Sequence, residues 1–193
     1  MSHTPHAERE ATRLTDRLCA DYGDLPDVYE ETLAISGARF DGFWDYAEDG
    51  FVSAAGARVV DEAGRLLMLR DRDDPNDWTF PGGGVEPDDE SLEATAVREA
   101  QEETGIECES TGVCLPYRFY YTTDTRDETI LAFGVFFDAI ATGGAFSTPN
   151  DEVLEARWFE TPPPLDTIPV MLRPTVEAWE SAQAGERTDA ESK

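Results

Sequence analysis

Residues 84–106, GVEPDDESLEATAVREAQEETGI, constrain this 193-residue chain more than any other stretch. From about residue 90 to 104 the composition favours a helix. At about 100° per residue, Glu99, Glu102 and Glu103 fall within roughly a 100° arc of one helical face. Like charges at these spacings cost a helix roughly a few tenths of a kcal/mol per pair, so the cluster calls for something that offsets the repulsion. A hard divalent cation does so. Mg2+ takes oxygen ligands, keeps several waters and is held by one or two carboxylates together with substrate phosphates. A solvated acidic face, in a chain acidic throughout, is the alternative.

The flanks favour the cation. Phe80, Pro81 and three glycines, Gly82, Gly83 and Gly84, allow close backbone approach just before the helix, and Gly105 supplies a left-handed cap just after it. In these residues the chain resembles the Nudix hydrolases, whose consensus is Gly, five residues, Glu, seven residues, Arg-Glu, an apolar residue, any residue, Glu-Glu, any residue, Gly and an apolar residue. Gly84, Glu90, Arg98, Glu99, Ala100, Glu102, Glu103, Gly105 and Ile106 fill every specified position, with Ala100 small for its apolar slot. The turn departs from the common family form by one extra residue. Which glycine carbonyl approaches the metal, and whether Asp89 or Glu90 takes the turn-side role, therefore stay open.

The resemblance implies an α/β fold, a Nudix-type α/β/α sandwich with a mixed β-sheet, extended here by an N-terminal helical segment. It implies Mg2+-dependent cleavage, with Mn2+ as a substitute, of a diphosphate linkage in a nucleoside diphosphate joined to another moiety. Nucleoside triphosphates, ADP-ribose or other nucleotide sugars, and dinucleotide polyphosphates all qualify. Glu99, Glu102 and Glu103 are implied as metal-holding catalytic residues, with Gly83 beside the metal and Gly82 and Gly84 admitting the substrate. Glu90 and Arg98 resemble the structural pair that fixes loop to helix; eight residues apart, they meet only if Glu90 lies in or near the turn. The base that takes the proton from water is Glu99 or a carboxylate outside the motif. Glu152, six residues before Trp158, is the outside candidate, with Glu155 its competitor and a solvated loop carboxylate the alternative. Tyr121 stands where members cleaving dinucleoside polyphosphates often carry a tyrosine, whereas Pro116 sits too early for the proline of ADP-ribose-cleaving members. A non-hydrolytic nucleotide-binding sensor or interaction module is the other function class. Such members often lose helix glutamates, and all are present here.

Lys and Arg number 15 against 42 Asp and Glu, a net charge of -27 that repels nucleic-acid duplexes and anionic membrane surfaces. The expected partner is a small nucleotide-type molecule. A hydrophobic content of 40% argues for a folded core rather than disorder. Such a composition resembles proteins of salt-accumulating extreme halophiles, so a cytoplasmic protein working in high salt is expected. Cys19, Cys108 and Cys114 lack metal-ligand spacing and read as free, buried thiols of a reducing compartment. No apolar run approaches the roughly 18 residues of a membrane span, and the N-terminus has no signal-peptide core.

The chain divides into a helical arm (1–50), the motif-bearing domain (51–182) and a disordered acidic tail (183–193). Thr4 and Pro5 open a first helix to residue 22, and residues 24–35 read as a second, short helix. The aromatics Phe40, Phe43, Trp44, Tyr46 and Phe51 either seal the arm onto the core or serve in substrate stacking or homodimer docking. Residues 52–60 and 65–70 read as a hairpin around Asp61–Gly64 chemistry, followed by strands at 111–122, 129–142 and 153–159 and a helix at 169–182. Arg70, near the glycine turn in a chain poor in cations, is a candidate for a substrate phosphate. Pairing with a surface carboxylate is the alternative, more so for Arg72.

Overall fold

The computed structural model describes residues 4–147 and 152–191, with side chains as far as residue 185. Helix α1 (Pro5–Tyr22) opens where the Thr4 hydroxyl accepts the Ala7 N–H at 3.1 Å and Pro5 presets the first turn. Ala7, Ala11, Leu14 and Leu18 recur at helical spacing and are all buried, which docks α1 on the sheet. Gly23, at φ 80°, stops it.

The expected short helix at 24–35 is corrected to a strand, β1 (Tyr29–Ala34), paired parallel with the strand at Ile106–Thr122. Pro26 disfavours helix at its start, and Tyr29 and Thr32 suit a pleated edge whose backbone groups the neighbouring ladder satisfies. The Ser36 side chain then caps α2 (Gly37–Tyr46), where Phe40 is fully buried and stacks on Trp44 at 5.9 Å.

The remaining elements are β2 (Phe51–Val60), β3 (Leu66–Asp71), β4 (Gly82–Gly84), α3 (Leu92–Thr104), β5 (Ile106–Thr122), β6 (Ile130–Gly144), β7 (Val153–Phe159) and α4 (Arg173–Glu191). Together the described strands make one mixed sheet in the order β1-β5-β6-β2-β3-β7, with β4 added on β2. Asp61 holds the hairpin turn by accepting the N–H groups of Ala63 and Arg65 at 3.0 and 2.8 Å, and Gly64 takes the positive φ of 77°. β2 and β3 then pair only at Val60 and Leu66 before diverging. The chain at 79–84 fills the fork: Thr79 and Leu69 exchange backbone hydrogen bonds, and β4 pairs with Ala54, Ala55 and Gly56.

Alternation along the strands feeds two cores. Val59, Leu67, Phe133, Val135 and Phe137 meet α1 and α3 on one face. Leu66, Met68, Trp78, Phe80 and Phe136 meet Leu172, Val176 and Trp179 of the C-terminal segment on the other. The architecture is thus the expected α/β/α sandwich. α4 begins at Arg173 after a short 3-10 turn and is helical through Glu191, across most of the segment expected to be a tail; residues 192–193 lie outside the described residues. Cys108 is buried as expected, but Cys19 is exposed on the outer side of α1. Burial pushes the Cys108 thiol up to about 11 and that of Cys114 to about 12, so both are inert near neutrality. Among the described residues, no helix is long and apolar enough to cross a membrane.

α3 is framed at both ends. The Ser91 hydroxyl accepts the Ala94 N–H at 3.1 Å, and Gly105 closes the helix in the left-handed region at φ 77°. A side chain at Gly105 would also collide with the Ala145 carbonyl. Gly105→Ala is therefore expected to cost at least ~1 kcal/mol, read as a fall in the urea midpoint; an unchanged midpoint would contradict this account of the cap.

Candidate active site

The glycine turn reaches the fork because two backbones touch there. A Cβ at Gly56 would lie 2.5 Å from the Pro81 carbonyl, and one at Gly82 would lie 2.7 Å from the Gly56 Cα. At Gly83 the obstacle is chemical, since a Cβ would strike the Glu99 carboxylate. Gly83 thus provides a bare backbone surface on which that carboxylate rests.

Glu103, one turn further along α3, is only 7% exposed and accepts the Gly82 N–H at 2.8 Å. Burial pushes its carboxyl up to about 8, and the charges of Glu99, Asp71 and Glu152 push the same way against the Gly82 N–H. Glu99 is also raised, first by burial and then by Glu102 and Glu86, with Arg98 opposing. Glu102 differs. Its side chain is 54% exposed and turned to Arg98 at 2.9 Å. The structure therefore brings Glu99 and Glu103 to the glycine floor and leaves Glu102 on the rim.

The loop-to-helix pair expected between Glu90 and Arg98 is corrected to Asp89 and Arg98. Arg98 Nε and Nη2 donate to the two Asp89 oxygens at 3.0 and 2.9 Å, and Nη2 also donates to the Gly84 carbonyl at 2.9 Å. Asp89 further accepts the Glu86 N–H and the Thr95 hydroxyl at 2.8 and 2.9 Å. These partners, Arg98 first, hold its carboxyl down to about 2. Glu90 is exposed, just ahead of the Ser91 cap. The extra residue in the turn shifts the acidic partner back by one, which is the physical reason that matching by position picks the wrong side chain.

Gly82, Gly83 and Glu103 line a cavity of about 130 Å³ with Ala55, Asp71 and Tyr117. Asp71 was not singled out by the sequence reading; it enters because β3 is bulged between Arg70 and Asp71. Its neighbour Arg70, the expected phosphate ligand, lies instead over the Trp78 ring at 4.3 Å and does not line the cavity. Glu152 is exposed; its backbone carbonyl accepts the Arg72 N–H at 2.8 Å, and its charge acts on Glu103. Residues 148–151 of the same loop lie outside the described residues. The competitor Glu155 is taken by Arg157. Tyr121 lies edge-on against Phe43 at 5.0 Å and is not part of the cavity wall. A wider cleft of about 520 Å³ runs between α1 and the outer side of the motif turn, touching Gly84, Val85 and Glu86. The wider cleft carries more acidic side chains, Glu10, Glu48, Glu86 and Asp89 among them, but the buried Glu103 and the glycine floor that receives Glu99 belong to the smaller cavity, which makes that one the candidate centre.

A family model for the NUDIX domain matches residues 50–165, and the chain belongs to the Nudix family. A NUDIX hydrolase from Nitrosomonas europaea superposes with a TM-score of 0.54 at 25% identity, covering 69% of this chain and 73% of its own. The chain is 34% identical over 149 residues to a CMP-5'-(N-acetyl-N-hydroxy-3-aminopropyl)phosphonate hydrolase of Streptomyces rubellomurinus, covering 74% of this chain and 66% of that one. It is 33% identical over 105 residues to human nucleoside diphosphate-linked moiety X motif 6, 54% of this chain and 27% of that protein. The chain thus spans about a quarter of the length of that relative and of its Xenopus laevis counterpart.

Asp89→Asn is expected to cost ~2–4 kcal/mol by removing the carboxylate that takes two of the Arg98 donors, whereas Glu90→Gln should stay within ~0.5 kcal/mol of the parent. Because the Asp89 carboxyl is held at about 2, below its usual 3.8, its contribution is full above that usual value and is lost as pH falls through about 2. Denaturant unfolding of both variants at neutral pH tests the assignment; equal losses would return the pairing role to Glu90.

Proposed function

We propose that the chain is a Mg2+-dependent pyrophosphohydrolase that cleaves a diphosphate linkage in a nucleoside diphosphate joined to a second group. One observation carries this reading: the Glu99 and Glu103 carboxylates lie against the bare glycine backbone at a cavity, with Asp71 and Glu152 close enough to raise Glu103 further. So much negative charge at one point favours a cation there. Among the described residues no three acidic, His or Cys side chains form a ready-made metal cage. Mg2+ does not require one, because it is held by one or two carboxylates and completes its shell with water and substrate phosphates. The all-oxygen donor set of Glu99, Glu103 and the Gly83 backbone suits it, with Glu102 and Asp71 at the edge, and Mn2+ substitutes.

When bound, Mg2+ neutralises charge on the phosphate oxygens and makes a bound water more acidic. The chain's own residues do the rest. The glycine turn admits the diphosphate to within backbone reach of Gly82 and Gly83. Glu152, exposed just ahead of β7 and close enough for its charge to act on Glu103, takes the proton from the attacking water, with Glu99 its competitor. Arg98 and Asp89 keep the turn seated on α3. The names of two relatives, one a hydrolase of a CMP-linked phosphonate and one a nucleoside diphosphate-linked motif protein, support a nucleotide bearing a second moiety. The acid-rich composition supports assays in molar KCl.

Incubating the protein with a panel of nucleoside triphosphates, nucleotide sugars and dinucleoside polyphosphates, with product analysis by chromatography, tests the reading. Turnover should require Mg2+, vanish with EDTA and fall by more than ~100-fold in Glu103→Gln. Glu102→Gln should lower it less, because Glu102 stands on the rim. Tight nucleotide binding without turnover of any panel member would favour a sensor instead. As a readout independent of turnover, Mg2+ should raise the thermal midpoint of the parent and not that of Glu99→Gln/Glu103→Gln.

A further inference from the structure

The cavity at Glu103 is acidic and small, so it has no obvious place for the planar base of a nucleotide. The rings around it do. Tyr117 lines the cavity, and Phe119 and Tyr121 follow on alternate positions of β5, with centroids 5.0 and 6.0 Å apart in turn. Tyr121 meets Phe43 of α2 at 5.0 Å, and Phe43 meets Tyr46 at 5.8 Å. Tyr46 closes the arc by returning to the motif turn, where it borders the wider cleft with Ser53, Gly84 and Val85. The rings therefore run from the Glu103 cavity around to the outer rim of the glycine turn.

Sealing α2 onto the sheet does not account for all of them. Phe40, fully buried on Trp44, performs that task, whereas Phe43 is half-buried and Tyr46 is 64% exposed. Arg39 lies over the Phe43 ring at 5.5 Å, and its charge reaches the phenols of Tyr46 and Tyr121. It is exposed, and among the described residues no carboxylate lies within ion-pair distance of it. That is notable in a chain with 42 acidic residues, where Arg58, Arg65 and Arg126 are each held by an aspartate. A free guanidinium beside exposed aromatic faces suits a ligand that is both planar and anionic.

We propose that Phe43, Tyr46 and Arg39, all contributed by α2 outside the matched family region, form the subsite for the base and adjoining negative charge of the nucleotide substrate. The subsite rests on the functional reading above. From Tyr117 to Tyr121 the strand spans about 13 Å, which lets the diphosphate lie at the Glu103 cavity while the base rests on the shelf.

The test uses the full chain with EDTA present, so that binding is read without turnover. ADP, GDP, CDP and UDP are titrated calorimetrically into the parent, Arg39→Gln, Tyr46→Ser and Tyr46→Phe. Both Arg39 and Tyr46 are exposed, so these substitutions leave the core intact. At least one diphosphate should bind the parent, with about tenfold weaker binding in Arg39→Gln and Tyr46→Ser and near-parental binding in Tyr46→Phe. With Mg2+ and a turned-over substrate, the same two losses should appear in KM with kcat little changed. Binding unaltered by Arg39→Gln and Tyr46→Ser, or turnover by a parent that binds no diphosphate, overturns the shelf and leaves the hydrolase reading standing. Neither binding nor turnover overturns both.

Discussion

Arg98 is the constraint on which the site depends. A guanidinium carries five N–H donors in a fixed plane, and here every one is used. Nε and Nη2 take the two oxygens of Asp89, Nη2 takes the Gly84 carbonyl, and Nη1 takes Glu99 and Glu102, all between 2.9 and 3.0 Å. One side chain thus ties the turn, the start of α3 and its acidic face together. A lysine, with three donors on a single atom, could not span these directions. The same contacts offset the mutual repulsion of carboxylates that the helix would otherwise carry alone. Since the Arg98 side chain is 19% exposed, these charge-assisted bonds are screened far less than those of surface pairs such as Arg17 and Asp21.

The second constraint is geometric. β2 and β3 leave each other after a single pair of residues, and a sheet that splits this way exposes unpaired backbone on both inner edges. Residues 79–84 satisfy those edges, pairing with β3 through Thr79 and with β2 through three consecutive glycines. Only glycine on both sides lets Gly82 and Gly56 come into contact. The glycine turn is therefore part of the sheet's hydrogen bonding, which ties its position to that of the strands. The bulge at Asp71 belongs to the same adjustment, because it turns an acidic side chain into the gap that the divergence creates.

The elements most legible in the sequence are those governed by local chemistry. Thr4 and Pro5 announce α1, Gly105 announces the end of α3, and Asp61 with Gly64 announces the hairpin turn, all through capping and turn chemistry that is read within a few residues. The misreadings share a different cause. β1 lacks the alternation of a half-buried strand, because Glu30, Glu31 and Thr32 are all exposed, and only the ladder to β5 makes it a strand. Asp89 is hidden because the turn's extra residue changes which carboxylate faces Arg98, a matter of path rather than of spacing. Asp71 owes its place to a bulge, and Arg70 its diversion to the ring of Trp78, which lies eight positions away in sequence and is brought back by the fork. Each depends on contacts between segments, which periodicity does not report.

The N-terminal arm gains its meaning from the same long-range pairing. β1 adds the outermost strand beside β5, and the charged, outward-facing Glu30 and Glu31 discourage a further chain from adding to that edge. Arg118 of β5 reaches across to Glu30 and to Thr15 of α1, so the arm is tied to the sheet at its strand and at its helix. Between these ties α2 is held over the end of β5, where Arg126 from the β5–β6 loop pairs with Asp41 and lies over Phe40 and Trp44. Together with the Phe43 ring against Tyr121, these contacts seat α2 on the end of β5. The arm therefore extends the scaffold that also positions Glu99 and Glu103, and any ligand spanning both would meet one preorganised surface rather than two that must be brought together.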